Sequence, residues 1–418
     1  MAQLFTANKI IKLIIKKKLS TIKYIMQKRV FSQNGLNIPF SQFTSIEPMA
    51  HQHILVPQTS TPTWGGYFTL DLKEKNCHIH NLTLKFNVSP ITGATSGQPY
   101  YTPAWFWINR LELTINNTVI DTIYGNQQFL LHQLFNYDEK RKYLNITAGD
   151  YGSKTQRKGL ASTANDYYVP LWSFFKQTHI TAISPKDDVQ IRVWMDTAAN
   201  NIVADGAEGV LSSTINYCTL LTQVSKLQAP TIQALYKETV NKPTHYQFSE
   251  LRYGTYTINA GSASTSIVLS SLVGPVSFLY FVVRPTNGRS GDGYFTYLPI
   301  KDFAILDAGS TNIVGGQAIV SSQALLHLNK DWTRSSYSSE IAVSSNNKNA
   351  YVYLYSFGAS PDTTIWTGKN YNNHRFIGSE QLVINFDVAL TQSVTVDLYA
   401  QVDSALEITS TYVKKLNL

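Results

Sequence analysis

One seven-residue run occurs twice in this chain. Tyr168-Val169-Pro170-Leu171-Trp172-Ser173-Phe174 returns as Tyr351-Val352-Tyr353-Leu354-Tyr355-Ser356-Phe357, with five of the seven residues identical at a single offset of 183. The matched pairs are Tyr168 with Tyr351, Val169 with Val352, Leu171 with Leu354, Ser173 with Ser356 and Phe174 with Phe357. After each copy comes a loop, then an alternating strand, then one last strand. The landmarks before the copies also keep their order: strand, short helix, long loop. The offset drifts to 195 between Leu130-Leu131-His132 and Leu325-Leu326-His327, as unequal loops between equivalent elements would produce. A duplicated β unit therefore constrains the chain more than any single motif does.

Length agrees with duplication. A chain of 418 residues is too long for one hydrophobic core, which gives two domains of roughly 200 residues as the expectation. Aromatics make up 12% of the chain, including 25 Tyr and 19 Phe, and such side chains favour pleated sheets. Charged residues are only 15%, as expected of a surface largely buried against neighbours or copies of itself. Two cysteines, Cys77 and Cys218, make no disulfide framework and point to folding in a reducing compartment.

The strands announce themselves by period two. Ile79, Leu82, Leu84, Phe86 and Val88 lie among Asn81, Thr83, Lys85 and Asn87, a strand with one wet face. Pro90–Pro103 reads as a turn-rich loop. Leu111, Leu113 and Ile115 alternate with Arg110, Glu112 and Thr114, and Gln127–Leu134 reads as a short helix. A polar loop, Asn136–Asp166, leads to the first copy of the run. Val189, Ile191, Val193 and Met195 then alternate with polar neighbours, and Thr214–Val224 closes the half. In the second half short strands are expected at Thr255–Ile258 and Ser264–Leu269. The apolar run Val276–Val283 has the signature of a strand covered on both faces. Lys301–Ile313 takes the place of the Arg110 strand, and Gln323–His327 that of the helix. A Ser/Asn-rich loop, Ser335–Asn349, precedes the second copy. Leu382, Ile384, Phe386 and Val388 form one alternating strand, and Val394, Val396, Leu398, Ala400 and Val402 alternate with Thr395, Asp397, Tyr399 and Gln401 in the last. The pattern implies an all-β chain of two antiparallel sandwiches in tandem. The boundaries read as an arm at 1–46, a first domain at 47–227, a linker at 228–245, a second domain at 246–405 and a tail at 406–418.

Charge is concentrated at one end. Lys9, Lys12, Lys16, Lys17, Lys18, Lys23, Lys28 and Arg29 are the only charged residues between Met1 and Ile46. They account for the whole net charge of +8, so the remaining body is formally neutral. Ile10, Ile11, Ile14, Ile15, Leu19, Ile22 and Ile25 give the arm an apolar stripe at near-helical spacing beside its cations. Two readings stand. The arm binds an anionic surface, lipid or nucleic acid, or it is a solvated leader ahead of a start at Met26, of a composition shared with mitochondrial presequences. It is too short and too charged to span a bilayer.

Sites of chemistry are few. Cys77, His78 and His80, with His51 and His53 upstream, bring together metal-ligand types, but Cys77 and the two histidines alternate across a strand. Gly288-Arg289-Ser290-Gly291-Asp292-Gly293 imitates a phosphate loop without a strand-to-helix frame. Asn81, Asn116 and Asn145 each head an N-x-T sequon, expected to be silent after folding in the cytosol. No nucleophile elbow, zinc-protease motif or paired catalytic carboxylate occurs, so no catalytic residue, cofactor or metal site is expected.

The C-terminal copy carries a resemblance. Tyr355-Ser356-Phe357 with Pro361, Thr367-Gly368, Asn370, Arg375 and a final strand resembles the C-terminal signature of double jelly-roll major capsid proteins. These come from large eukaryotic DNA viruses, virophages, polinton-like viruses, adenoviruses and membrane-containing phages. Gly358-Ala359-Ser360 and Asn372-Asn373-His374 depart from the usual residues at their positions. The resemblance implies two tandem eight-stranded jelly rolls with short connecting helices. It further implies a homotrimer of pseudo-hexagonal outline, an icosahedral lattice of such trimers, and minor capsid or penton proteins as neighbours. The protein would fold in the host cytoplasm or nucleus and reside in the virion, its arm facing the genome or an internal membrane. Jelly rolls also serve as lectins, and a carbohydrate-binding alternative would use exposed aromatics such as Trp332, Trp366 or Tyr371.

Overall fold

The computed structural model describes residues 50–417 apart from 74–76, 95–96, 136–145, 150–153, 172–187, 205–209, 227, 231–232, 234–242, 287–294, 308–310, 314–318, 321–350, 358–373 and 410–412. The first half contains β1 (Ala50–Pro57), β2 (Tyr67–Leu72), β3 (Cys77–Val88), β4 (Tyr100–Tyr101), β5 (Ile108–Ile115) and β6 (Thr118–Ile123). Helices α1 (Gly125–Phe135) and α2 (Lys154–Ala161) follow, then β7 (Asn165–Leu171), β8 (Val189–Met195), the short α3 (Ala198–Asn201), β9 (Ile202–Val203) and β10 (Ile215–Lys226). Eight of these strands form two antiparallel sheets, β1-β10-β3-β7 and β2-β8-β5-β6, while β4 and β9 make a separate ribbon.

The second half repeats this arrangement. It contains β11 (Thr244–Ile258), β12 (Ser264–Val268), β13 (Gly274–Pro285), β14 (Asp302–Leu306), β15 (Ile319–Val320), β16 (Val352–Ser356), β17 (His374–Phe376), β18 (Gln381–Asn385), β19 (Val394–Ile408) and β20 (Val413–Asn417). Its sheets run β11-β19-β13-β16 and β12-β18-β14-β15. Strand for strand, that order matches the first half: β1 with β11, β10 with β19, β3 with β13, β7 with β16, and likewise through the second sheets. Each half is an eight-stranded jelly roll. Two strands extend the larger sheet of the second half, β17 on β13 and β20 on β19.

Alternation explains why these segments are strands and which side of each is dry. In β8, Val189, Ile191, Val193 and Met195 are buried and their neighbours half-buried. In β3, Leu82, Leu84, Phe86 and Val88 are buried while Asn81 is exposed. Against Phe86 pack Trp107 and, through it, Tyr101 and Tyr167, with ring centroids 4.8–5.8 Å apart. Fully burying side chains of this size stabilises by about 1.5–3 kcal/mol each. The β5–β6 hairpin turns on Asn116 and Asn117, whose φ of 50° and 64° is the left-handed backbone a tight hairpin needs. Gly125 opens α1 where a Cβ would run into the carbonyl oxygens of Trp105 and Ile108. That close approach lets α1 bury Phe129, Leu130 and Leu131 on the Ala104–Trp107 turn.

Several elements differ from the pattern in the sequence. The short strand expected at Thr255–Ile258 is the end of β11, which begins at Thr244, inside the stretch read as linker 228–245. The polar loop Asn136–Asp166 contains α2, and Pro90–Pro103 contains β4. Val388 lies past the end of β18 and is 75% exposed. The tail 406–418 is in large part strand: 406–408 complete β19, and Val413–Asn417 is β20. A polar terminal segment gives no periodic signal, because its strand character comes from the open edge of β19 on which it lies. The helix expected at Gln323–His327 and the loop Ser335–Asn349 lie outside the described residues. So do the whole arm, with Lys9, Lys12, Lys16, Lys17, Lys18, Lys23, Lys28 and Arg29, and the glycine-rich stretch Gly288–Gly293.

Candidate functional site

The feature of this molecule that sets its two halves apart is the seam between them. The larger sheet of the second jelly roll is buried on both faces. One face, with Leu279, Phe281, Val283, Tyr353, Val396, Leu398, Ala400 and Val402, lies in that jelly roll's own core. The opposite face carries Phe278, Tyr280, Val282, Val352, Leu354 and Tyr399, and these belong to a core continuous with the first jelly roll. Strand β19 accordingly has no wet side: Thr395, Asp397 and Gln401, which alternate with its apolar residues, are buried too.

Helix α1 and the residues before it form the other wall of the seam. The Tyr124 ring lies 4.5 Å from that of Tyr253 on β11. Tyr253 stacks on Tyr399 at 5.0 Å, and Tyr399 on Tyr280 at 5.0 Å, so four tyrosine rings form a continuous pile across the seam. Asn126 on α1 donates from Nδ2 to the Tyr399 hydroxyl (3.2 Å) and accepts from the Tyr297 hydroxyl (2.9 Å). Phe106 packs on Phe129 within the first half and on Phe295 from the second. At the seam's end, Thr118 on β6 donates to the carbonyl of Val413 on β20 (3.1 Å).

One ion pair is set into this apolar wall. Arg284 Nε donates to Asp397 Oδ2 at 2.6 Å, and the Tyr253 hydroxyl donates to Asp397 Oδ1 at 2.9 Å. The Asp397 side chain is 2% exposed. Burial works against the charge on Arg284, but the adjoining carboxylate outweighs it and raises the guanidinium pKa. Burial first, and then the same carboxylate, pushes the Tyr253 phenol up. Burial alone is the leading cause for Tyr280 and Tyr399, which rise well above 10.0. A second cluster ties β20 down: Glu250 accepts from Arg252 (2.7 Å), from Ser404 (2.9 Å) and from Lys415 of the terminal strand.

Among the described residues, the corresponding face of the first jelly roll is exposed to half-buried and carries polar and charged side chains. Lys85 pairs with Asp166 at 2.8 Å, Asn87 and Tyr217 also donate to Asp166, and the Lys85 ammonium lies over the rings of Tyr168 and Tyr217. The hydrogen bond to Asp166 raises the Lys85 pKa. Partial burial opposes the Asp166 charge, but the bonds from Lys85 and its neighbours hold that carboxyl below its ordinary value.

Both copies of the repeated run sit at equivalent places, but not in the same register. Tyr168, Val169 and Leu171 lie on β7, beside β3; Val352, Leu354 and Ser356 lie on β16, beside β13. Val169 and Leu171 share the face of Tyr167, which packs on Trp107 in the first core. Val352 and Leu354 instead face the seam, and it is Tyr353 that enters the second core against Phe281 and Phe303. Aligned by identity, the copies present opposite faces, as an odd shift along a strand requires. Tyr351 precedes β16 with φ at 68°, and Phe357 follows it with its N–H bonded to the Ser277 carbonyl. Ser173 and Phe174 lie outside the described residues, as do Pro361, Thr367, Gly368, Asn370, Trp332, Trp366 and Tyr371. Arg375 is exposed on β17. Among the described residues no group of three or more His, Cys, Asp or Glu could hold a metal ion.

Residues of the seam itself, Tyr124, Asn126, Tyr253, Arg284, Tyr297 and Asp397, carry no motif. Their only sequence signal is the apolar run Val276–Val283, which demands cover on both sides.

Two jelly rolls fused through a dry seam define a double jelly-roll protein. No protein-family profile matches the sequence, and no curated protein matches it. Among solved structures, the chain is similar to the Faustovirus major capsid protein, with a TM-score of 0.67 at 10% identity, covering 95% of this chain and 98% of that one. It is also similar to a chain of the PBCV-1 virus capsid (TM-score 0.66, 15% identity, 90% and 99% covered). A third likeness is to the mavirus major capsid protein (TM-score 0.53, 13% identity, 92% and 95% covered). At such identities the fold is what is shared, and it is shared over nearly the full length of each chain.

Proposed function

We propose that the chain is a viral major capsid protein. In this reading three copies form a trimer of pseudo-hexagonal outline, and trimers tile an icosahedral shell with minor capsid or penton proteins at its special positions. The observation that carries the reading is the fused pair of equivalent jelly rolls, matched end to end by the capsid chains named above. A neutral body with 15% charged residues suits close lateral packing. The basic arm, Lys9 to Arg29, faces the genome or an internal membrane. The role is structural, and the protein resides in the virion after folding in the host cytoplasm or nucleus.

The deciding measurement is the mass of the purified full-length protein by analytical ultracentrifugation, with negative-stain images of the particles. A trimer with hexagonal outline is expected, and a monomer at every concentration would overturn the reading. For the arm, removal of Met1–Met26 should weaken binding to anionic liposomes or to DNA. Unchanged binding to both would make it a passive leader.

A further inference from the structure

We propose that His51, His53, His78 and His80 form a zinc site on the outward face of the sheet β1-β10-β3-β7. The inference goes beyond the capsid reading and does not depend on it.

The sequence sets these histidines in two pairs of His-x-His spacing, His51 with His53 and His78 with His80. Period two puts both members of such a pair on one face of a strand. One pair alone is no site, because a closed shell needs ligands from elsewhere. The register of the sheet supplies them.

Strand β10 lies between β1 and β3, and its Ser225 pairs with His51 on one side and His78 on the other. In the next row Gln223 pairs with His53 and with Asn81. His80 is the extra residue of a bulge there, since Gln223 stands opposite Asn81 and Val224 opposite Ile79. Cys77 and Ile79 are buried and mark the inward face of β3, as Val56 does on β1. His53 and Leu55 are exposed and mark the outward face. Alternation then places all four histidines on the outward side. The side chains of His51, His78 and His80 lie outside the described ones, so their placement is that of register.

Two strand spacings make about 10 Å, and two residues along a strand about 7 Å. The four histidines stand at the corners of a rectangle of that size, with the short Ser225 midway between His51 and His78. Imidazole nitrogens hold zinc at about 2.0–2.1 Å, and pairs facing each other over a serine can close on one ion. Ser225 is fully buried, so the floor of the site is dry. An all-imidazole set suits zinc over calcium or magnesium, which take oxygen ligands. Gln223 and Asn81, in the same row as His53, have amide oxygens for the second N–H of an imidazole. Among the described strands β1 pairs with β10 alone. An ion shared with β3 would pin this edge strand across β10, at the point where the arm joins the body.

The test titrates the full-length chain, stripped with EDTA, with zinc chloride in a calorimeter. One zinc per chain is expected, with Kd below about 1 μM. The thermal midpoint should rise by at least about 2 °C when free zinc is about a hundredfold above Kd. His51→Ala and His78→Ala should each bind at least about tenfold more weakly and lose the thermal shift, with the circular dichroism of the zinc-free wild type retained. His374→Ala, in the second jelly roll, should bind as the wild type does. Cobalt(II) in place of zinc should give the intense visible bands of a four-coordinate ion. No zinc-dependent shift, or unchanged affinity in both His51→Ala and His78→Ala, would overturn the site. If those variants fail to fold, the wild-type cobalt spectrum decides, and the weak bands of a six-coordinate ion would count against it. Oligomeric mass is read separately, so failure here leaves the capsid reading intact.

Discussion

Strand β3 of the first jelly roll and strand β13 of the second hold the same place in the same sheet, yet their surroundings are opposite. On β3 the side chains between Leu82, Leu84 and Phe86 are Thr83 and Lys85, half-buried and polar. On β13 the residues between Leu279, Phe281 and Val283 are Tyr280 and Val282, and Phe278 comes just before them, all fully buried. The fold is one and the same, so the difference lies in what covers the outward face. A sheet that meets water on one side needs alternation; a sheet that meets protein on both sides needs none. The price of the second arrangement is that any charge inside it must bring its partner, as Asp397 does with Arg284.

The sharpest way to break the comparison is to remove that partner. Asp397→Ala strands the Arg284 guanidinium in the seam and should cost about 3–5 kcal/mol in chemical denaturation. Asp166→Ala, the matching loss on the open face, should cost no more than about 1 kcal/mol, because water can replace the carboxylate. Equal losses at the two positions would mean that the seam is wetter than its burial indicates.

Alkali should act on the seam. The phenols of Tyr253, Tyr280 and Tyr399 ionise above the ordinary 10.0 in the folded protein and near 10.0 when unfolded. The unfolded chain therefore binds fewer protons above that pH, and stability present below pH 10 is lost as pH rises through the folded values. Denaturation midpoints should fall steeply above about pH 10, with tyrosinate absorbance rising together with unfolding. Solvent-exposed tyrosines elsewhere in the chain supply a background signal, so the absence of a further step in absorbance at the unfolding transition would contradict the burial of these three rings.

The smallest effect tests the packing of the pile. The Tyr280 hydroxyl is buried with no hydrogen-bond partner among the described residues. Tyr280→Phe removes that unsatisfied group and should leave stability unchanged or raise it by about 1 kcal/mol. A clear loss, measured by thermal unfolding, would reveal a partner for the hydroxyl.

Much of the fold was legible. The alternating residues of β3, β5 and β8 stand where periodicity puts them, α1 stands where that alternation lapses, and the run Val276–Val283 is the doubly covered strand its composition demands. The length of β11 was not legible. Its first residues, Thr244 to Gly254, mix Glu250 and Arg252 with aromatics, and only the Glu250 cluster with Ser404 and Lys415 makes that polarity tolerable inside a sheet. Nor was the buried side of β19. Thr395, Asp397, Tyr399 and Gln401 have the composition of a wet face, and they are dry because the first jelly roll, with α1, lies on that face of the sheet.

The sequence by itself determined that the chain is duplicated, where most of its strands run, and that one of them must be covered twice. Period two dictates that neighbouring side chains point in opposite directions, but not which direction is inward. That choice was made by tertiary packing, through the register of each strand and the body lying on each face. For this reason Val169 and Val352, identical in the repeated run, ended on opposite sides of equivalent sheets, one in a core and the other in the seam that makes two jelly rolls a single block.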